Sequence, residues 1–211
     1  MMSIIKITFE YIGLFISFFR NEYLIEMWHA ACSHLYTGMI KGKFKAFGNG
    51  SIIERKALNL KGLSNVTVGD NTQIESMAQI TAWNGYEGTV YNPQINIGDN
   101  CKFRNGIHIS AIGNIIIGNG VLTGTNVLIS DNSHGILDNE MLSVLPYKRQ
   151  LYTKGGITIG DNVWLGNNVC VVSGVTIGEG SIIGANSVVT NNIPPKCMAA
   201  GIPAKVIKSL I

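Results

Sequence analysis

The chain has 211 residues, which is long enough for one substantial domain with a short appended element. Charged residues make up only 14% of it against a hydrophobic fraction of 46%, and this indicates surface hidden in an oligomer, against a membrane, or both. The net charge of +3 is small, and no basic tract is interleaved with aromatic residues, so we do not expect nucleic acid as a partner.

The N-terminal segment, residues 1–47, is apolar and is predicted to be helical. Polar residues recur there at spacings of three and four, which predicts a helix with a narrow polar stripe and a wide apolar face. These residues are Lys6, Glu10, Gly13, Ser17 and Arg20. No small-residue cleavage site follows, so a secretory signal is not expected, and the two charges disfavour a membrane span. Two interpretations stay open. The helix is buried against the protein or an oligomer partner, or residues 1–20 lie in the plane of a membrane surface.

From about residue 66 onward the chain repeats with a period of six, which neither the helical period of 3.6 nor the strand period of 2 explains. The last run of aliphatic residues is the most regular: Ile159, Leu165, Val171, Ile177, Ile183 and Val189. Three short strands per triangular coil, each pointing one aliphatic side chain inward, would give this period. Gly-Asp-Asn at 69–71, 98–100 and 160–162 suits the corners. The sequence therefore predicts a parallel β-helix over residues 48–193, with roughly five or six coils.

The repeat is interrupted between Ile129 and Ile157, and a shorter irregular stretch separates Ile80 from Ile97. A loop as long as residues 130–156 within a regular solenoid is usually functional. It contains His134, with Gly135 beside it and Asp131 three residues earlier.

The four cysteines never have the C-x-x-C spacing of a structural zinc site or a redox motif: Cys32, Cys101, Cys170 and Cys197. Scattered cysteines of this kind are typical of reduced thiols in the cytoplasm.

At this point the sequence resembles a known family. Residues 157–208 contain I-T-I-G-D-N-V-W-L-G-N-N-V and, later, I-P-P-K-C-M-A-A-G-I-P-A-K-V-I-K, which are similar to the hexapeptide-repeat acyltransferases, above all galactoside, maltose and lipopolysaccharide O-acetyltransferases. The resemblance covers roughly residues 48–208. It implies a mainly β protein, a left-handed parallel β-helix after an N-terminal helical segment, with a C-terminal tail at 194–211. It also implies acetyl-CoA as co-substrate and no required metal.

The resemblance assigns catalysis to the long loop. In lipopolysaccharide O-acetyltransferases a Ser-Asp-x-x-His-Gly segment carries the catalytic histidine, which implies that His134 is the general base that takes a proton from the attacking hydroxyl. A second histidine common in the family is replaced by Asn132, so no rival base or zinc-binding pair is expected there. Asp131 has two readings: it orients the imidazole, or it ends the preceding strand through backbone hydrogen bonds. His108 should point out of the coil, towards an acceptor cleft.

The same resemblance implies CoA contacts in a groove between adjacent subunits, at Trp164, Asn167, Ala185, Thr190, Asn191, Lys205 and Lys208. Asn191 departs from a lysine that is frequent in the family. The two lysines stand where arginines are common, and they keep the charge but lose the bidentate geometry.

Acceptor binding is assigned to Arg104, Asn105 and Tyr147. The first two lie near positions that bind sugar in the family. Tyr147, together with Lys148 and Arg149, would meet a phosphate or a charged sugar, although a solvated loop surface explains these three residues equally well.

The leading hypothesis is O-acetylation of a sugar hydroxyl in surface polysaccharide or lipopolysaccharide biosynthesis, by a homotrimer with active sites at its subunit interfaces. The expected location is the cytoplasm, with peripheral contact at the inner membrane face through residues 1–20. Two alternatives use the same coil and base: N-acylation of an amino sugar, and acetylation of a small molecule such as serine or an antibiotic. A third alternative is a catalytically silent trimeric scaffold, because a fold alone does not determine chemistry.

Overall fold

The structure is a computed structural model that describes residues 2–17, 21–136 and 139–210. Its α-helices are α1 (Met2–Ser17), α2 (Glu22–Ile40) and the short α3 (Asn139–Ser143). Single 3₁₀ turns occupy Lys41–Lys43, Leu63–Asn65 and Pro146–Lys148.

The strands are short, as a period of six requires. In chain order they are β1 (Ala46–Phe47), β2 (Ile52–Ile53), β3 (Asn59–Lys61), β4 (Val66–Val68), β5 (Gln73–Ile74), β6 (Gln79–Ala82), β7 (Gly85–Tyr86), β8 (Thr89–Val90), β9 (Gln94–Ile97), β10 (Lys102–Phe103), β11 (His108–Ala111), β12 (Asn114–Ile117), β13 (Leu122–Thr123), β14 (Leu128–Ser130), β15 (Ser133–His134), β16 (Leu151–Tyr152), β17 (Ile157–Ile159), β18 (Trp164–Leu165), β19 (Cys170–Val171), β20 (Thr176–Ile177), β21 (Ile182–Ile183), β22 (Val188–Val189), β23 (Cys197–Gly201) and β24 (Ala204–Ser209).

Three sheets form the faces of a prism. The first sheet has the order β1-β4-β9-β12-β17-β20, the second β2-β5-β10-β13-β18-β21-β23-β24, and the third β22-β19-β14-β11-β6-β3. The chain visits the three sheets in turn, and all neighbours within them are parallel except the last pair, β23 and β24. This arrangement confirms the predicted parallel β-helix.

The core is a set of stacked aliphatic columns. In the first sheet, Ile97, Ile117, Ile159 and Ile177 pair in register from coil to coil, and none is more than 2% exposed. Phe103, at the predicted inward phase of the second sheet, has no exposed surface. Each coil thus depends on its neighbours to bury its inward side chains, which is how solenoids are stabilised.

The corner between the first and second sheets contains a ladder of side-chain caps. Asp70 Oδ1 accepts from the Asn49 backbone N–H (2.7 Å), and Asp99 Oδ1 accepts from the Asp70 N–H (2.7 Å). Asn119 and Asp161 continue the ladder in the next two coils. The last residue of each predicted Gly-Asp-Asn corner has the left-handed backbone that asparagine tolerates: Asn71, Asn100 and Asn162, with φ of 53–56°.

Helix α2 covers the N-terminal edge of the second sheet. The Thr37 hydroxyl donates to the Ile53 carbonyl (3.0 Å) and accepts from the Ile53 N–H (2.9 Å). One side chain therefore satisfies both backbone groups of a residue in the edge strand, where an uncovered edge would invite pairing with another chain. The face of α2 that meets the coil is buried at Ser33, Thr37 and Ile40.

Helix α1 forms as predicted, but its described side chains, residues 5–17, are all exposed. Burial of α1 against its own chain is therefore wrong, and an oligomer partner or a membrane surface remains. In the described part of the chain, no helix has both the length and the hydropathy of a membrane span.

Phe103 is fully buried inside the prism, so replacing it with Ala leaves a cavity in the core. We expect the Phe103→Ala variant to lose about 3–5 kcal/mol of unfolding free energy in chemical denaturation. The matched control is Lys102→Ala, on the outward face of the same strand, which should change it by less than about 0.5 kcal/mol. Equal losses in the two variants would contradict the assigned inward and outward faces.

Candidate active site

His134 lies in a small ribbon formed by the long loop folding back on itself. Strand β15 pairs antiparallel with β16, so that His134 stands opposite Leu151. The Gly135 N–H donates to the Gln150 carbonyl (2.9 Å), which closes the ribbon beyond the histidine. The His134 side chain is exposed, as a base that must meet a substrate requires.

A cavity of about 470 Å³ lies in front of His134, on the outer face of the third sheet. Its floor consists of outward side chains from successive coils, with Gln79, His108 and Leu128 in register. His108 points outward as predicted and shares this cavity with His134. Burial lowers the pKa of His108, so its imidazole is neutral at neutral pH and offers one donor and one acceptor.

A second insertion holds the long loop in place, and sequence reasoning did not assign it a role. The hairpin β7–β8 occupies the irregular stretch between Ile80 and Ile97. The Tyr86 hydroxyl donates to the Tyr147 carbonyl, and the Tyr91 hydroxyl donates to the Leu151 carbonyl (2.9 Å). The Tyr86 ring also meets the His134 imidazole in an edge contact, with centroids 5.4 Å apart. In the sequence, only the break in the repeat between Ile80 and Ile97 indicated that this stretch has a role.

Trp83 ties the same insertion to the coil. Its indole N–H donates to the Ser110 hydroxyl (3.2 Å), and its ring packs edge-on against Tyr86 at 5.8 Å. The Asn132 amide donates to the Ser110 carbonyl (3.0 Å) and hydroxyl (3.1 Å). Lys61 Nζ lies 4.8 Å from the Trp83 ring centroid, which is within the range of a cation–π contact.

Asp131 is fully buried and serves the backbone of the preceding coil. Oδ1 accepts from the Ile112 N–H (2.9 Å), Oδ2 accepts from the Gly113 N–H (2.8 Å), and the Asn132 amide donates to Oδ1 (3.2 Å). Burial raises the pKa of this carboxyl, and the three N–H donors oppose that shift. Among the hydrogen bonds of the described residues, none joins Asp131 to His134. The geometry favours the strand-ending reading.

Three of the predicted cofactor residues meet in one groove. Trp164, Asn167 and Ala185 line a groove of about 340 Å³, together with Ile182 and Met198. The tryptophan, isoleucine and methionine are in register on the outer face of the second sheet. Small residues at the adjacent corner leave the backbone accessible, which suits a narrow chain such as pantetheine.

The C-terminal hairpin brings two lysines beside this groove. Lys208 pairs across β23–β24 with Met198, and Lys205 pairs with Ala200. Paired residues point to the same side of a sheet, so both lysines lie on the outer face that carries the groove. Thr190 and Asn191 are exposed and bond to each other (3.0 Å) at a different corner, between the third and first sheets. They do not line the groove of their own chain.

The predicted acceptor residues lie in two places. Arg104 Nη1 is 3.1 Å from Glu75 Oε1, and the Asn105 amide oxygen accepts from the Ser76 hydroxyl (2.8 Å). Glu75 and Ser76 line a cavity of about 540 Å³ between α2 and the first coils. Tyr147 is exposed on the long loop. In one chain, therefore, Arg104 and Asn105 are not brought together with His134.

His134 and the groove lie on different faces of the prism. His134 stands outside the third sheet, at its corner with the first sheet, whereas Trp164 and Met198 lie on the second sheet. Arg104 follows a strand of the second sheet, so it shares that side of the coil with the groove.

Comparison with known proteins identifies the repeat. Residues 156–191 match the family model described as bacterial transferase hexapeptide (six repeats). A putative lipopolysaccharide biosynthesis O-acetyl transferase of Escherichia coli K12, WbbJ, is 38% identical over 117 residues, which is 54% of this chain and 60% of the relative. The repeat of this chain is thus similar to that of a bacterial hexapeptide transferase and of an O-acetyl transferase. The galactoside O-acetyltransferase of the same strain is 32% identical over 144 residues, 68% of this chain and 64% of that protein. The chain thus spans less than two thirds of either relative.

Solved structures of acyltransferases agree with the fold. AntD, an N-acyltransferase from Bacillus cereus, superposes with a TM-score of 0.65 at 16% identity, covering 84% of this chain and 88% of AntD. A galactoside acetyltransferase in complex with coenzyme A gives 0.51 at 28% identity, covering 82% and 69%. The left-handed β-helix predicted for this hexapeptide-repeat chain is confirmed. In its described residues, no group of three or more His, Cys, Asp or Glu is placed to hold a metal.

The two readings of Asp131 make different predictions for Asp131→Asn. If the carboxylate serves the backbone of residues 112 and 113, one amide N–H₂ will face a backbone donor. The unfolding free energy should then fall by about 1–3 kcal/mol, with a loss of activity in parallel. Chemical denaturation and turnover are measured on the same preparation. A fall in kcat at unchanged stability would instead support orientation of His134.

Proposed function

We propose that this protein is an acetyl-CoA-dependent O-acetyltransferase that acts on a sugar hydroxyl, with His134 as the general base. The observation that carries the proposal is the exposed imidazole of His134 at a cavity that it shares with His108. The groove at Trp164, Asn167 and Ala185, on the second sheet of the same chain, supports a thioester donor. The two sequence relatives are both named as O-acetyltransferases, which favours a hydroxyl over an amine.

The proposed reaction is direct transfer. The acceptor oxygen forms a bond to the acetyl carbonyl carbon while His134 takes the hydroxyl proton. The carbon–sulfur bond then breaks, and the proton passes from His134 to the CoA thiolate. Neutral His108, in the same cavity, has a free donor and acceptor with which to hold acceptor hydroxyls. The hairpin β7–β8 keeps the imidazole in position through Tyr86.

Each predicted cofactor contact has a proposed place. Pantetheine would lie in the groove at Asn167 and Ala185, where small side chains permit close approach. Lys205 and Lys208, on the same outer face, would meet the phosphates of the nucleotide. Thr190 and Asn191 stand at the corner that carries the long loop, so they would reach the same CoA only from a neighbouring chain.

The two faces require an oligomer. A groove on the second sheet and a base beside the third sheet cannot act on one acetyl group unless the third sheet of one chain faces the second sheet of the next. Such a head-to-tail interface gives a ring when its rotation closes, and we propose a homotrimer with an active site at each subunit interface. The enzyme would work in the cytoplasm on surface polysaccharide or lipopolysaccharide precursors, with residues 1–20 in contact with the inner membrane face.

The general-base role predicts that His134→Ala lowers turnover by about 10²–10⁴-fold, because such bases contribute that much to proton transfer. Acetyl transfer from acetyl-CoA is followed with free sugars and with amino sugars, and the products are assigned as esters or amides. The control is His34→Ala, an exposed histidine of α2 far along the chain from the loop, which should keep wild-type turnover. Near-normal turnover by the His134 variant would refute the assignment.

The interface site predicts complementation between two inactive variants. Ala185→Trp fills the groove, and His134→Ala removes the base, so each pure oligomer should be inactive. In mixed oligomers from co-expression, roughly a quarter of the interfaces join an intact groove to an intact His134, and activity should return to about that level. Verified mixed oligomers without activity would place both halves of the site in one chain.

A further inference from the structure

The N-terminal end of the coil carries a surface built for contact with lipid. We propose that α1, the outer face of α2, and Lys41 and Lys43 together bind an anionic bilayer surface; this set of residues is called the lipid surface below. The inference goes beyond a membrane contact of residues 1–20, because it includes a helix that is anchored to the coil and it specifies the charge of the lipid. It does not depend on acyl transfer.

The apolar surface of α1 is too wide for a single protein contact. Projected at 100° per residue, its exposed large side chains cover an arc of about 220°, broken only by Thr8: Ile5, Ile7, Phe9, Tyr11, Ile12, Leu14, Phe15 and Ile16, each 46–69% exposed. A helix that docks on a protein core needs an apolar stripe of about half that width. A lipid layer surrounds such a helix, and the narrow stripe with Lys6 and Glu10 remains in contact with water.

The outer face of α2 is a second exposed apolar surface. Tyr23, Leu24, Met27, Trp28, Leu35 and Met39 point away from the coil and are 51–71% exposed. The two acidic residues of the helix, Glu22 and Glu26, project instead to the side of Ser33 and Thr37 that meets the coil. All residues of α2 are described, and its outward face contains no charge. Tyr23 and Trp28 are residue types that concentrate at membrane interfaces.

The charge distribution selects an anionic surface. Residues 1–61 contain eight Lys and Arg but only four Asp and Glu, a net charge of +4, whereas the remaining 150 residues contain eight against nine, a net charge of −1. Residues 1–43, which carry the exposed helices, contribute +1 of this charge, and residues 44–61 of the adjoining first coil contribute +3. Lys41 and Lys43 follow α2 directly and are exposed. Basic residues beside an inserted apolar helix strengthen binding to anionic lipid.

The bound state is peripheral. Helix α1 has 16 residues, a length of about 24 Å against a hydrocarbon thickness of about 30 Å. The anchored helix α2 would lie along the headgroup region with its coil-facing side towards the protein. The coil would then extend from the membrane, and its second and third sheets would stay free for contacts between chains.

The test is co-flotation of the full chain with vesicles of phosphatidylcholine alone and with added phosphatidylglycerol. We expect binding to the mixed vesicles, weaker binding at high salt, and little binding to pure phosphatidylcholine. The variant Leu24→Ser/Trp28→Ser/Leu35→Ser should abolish flotation. Lys41→Glu/Lys43→Glu should weaken the partition coefficient at least tenfold, since each basic residue near an anionic surface contributes about fivefold.

Matched controls separate a local effect from a general one. Val90→Ser replaces an apolar residue that is 86% exposed elsewhere, and Lys154→Glu reverses an exposed charge on the far side of the long loop. Both should float as the wild type does. Wild-type protein that stays in solution with every vesicle overturns the proposal, and so does an oligomer that dissociates when the three α2 residues are changed. Acetyl transfer to a soluble acceptor, measured in parallel, reports on the proposed activity independently of flotation.

Discussion

The stacking of inward aliphatic side chains from one coil to the next governs the rest of this molecule. Ile117 can be buried only because Ile97 and Ile159 lie above and below it in register, so every coil must repeat the same spacing. Corner asparagines and the side-chain caps between Asp70 and Asp161 complete the requirement, since each turn leaves a backbone N–H that needs an acceptor. The inward positions are therefore unavailable to chemistry, and function is confined to outward side chains, to corners and to insertions.

That confinement explains why the two insertions cooperate. Hairpin β7–β8 and the long loop both interrupt the passage from the third sheet to the first, so they emerge at the same corner with one uninterrupted coil between them. The Asp131 carboxylate accepts hydrogen bonds from the backbone N–H groups of Ile112 and Gly113 in that middle coil. Tyr86 and Tyr91 then reach across it to the long loop. The position of His134 thus depends on groups from three coils.

The period of six was sufficient to predict the sheets, the inward residues and the Asn corners, because each follows from local spacing. It also predicted that His108 faces outward. The contact between Tyr86 and His134 could not be predicted in the same way, since the residues of an insertion have no register to the coil. The exposure of α1 could not be predicted either. An apolar helix pattern predicts that the helix is buried, but it does not tell whether the helix packs against its own chain, another chain or lipid. Asp131 illustrates the limit, because its residue type suits both a catalytic and a backbone role.

The sides of the prism, the lipid surface and the cavity at Glu75 and Ser76 lie in different places on the chain. Contacts between chains, if they join the second sheet to the third, use the sides of the prism, while the lipid surface is at its N-terminal end, where Thr37 fixes α2 to the edge strand. The cavity at Glu75 and Ser76 lies between that helix and the first coils, on the side of the coil that carries the groove. Under the two proposals above, an acceptor attached to lipid would enter from the N-terminal end of the coil, and acetyl-CoA from the opposite end, where the groove lies.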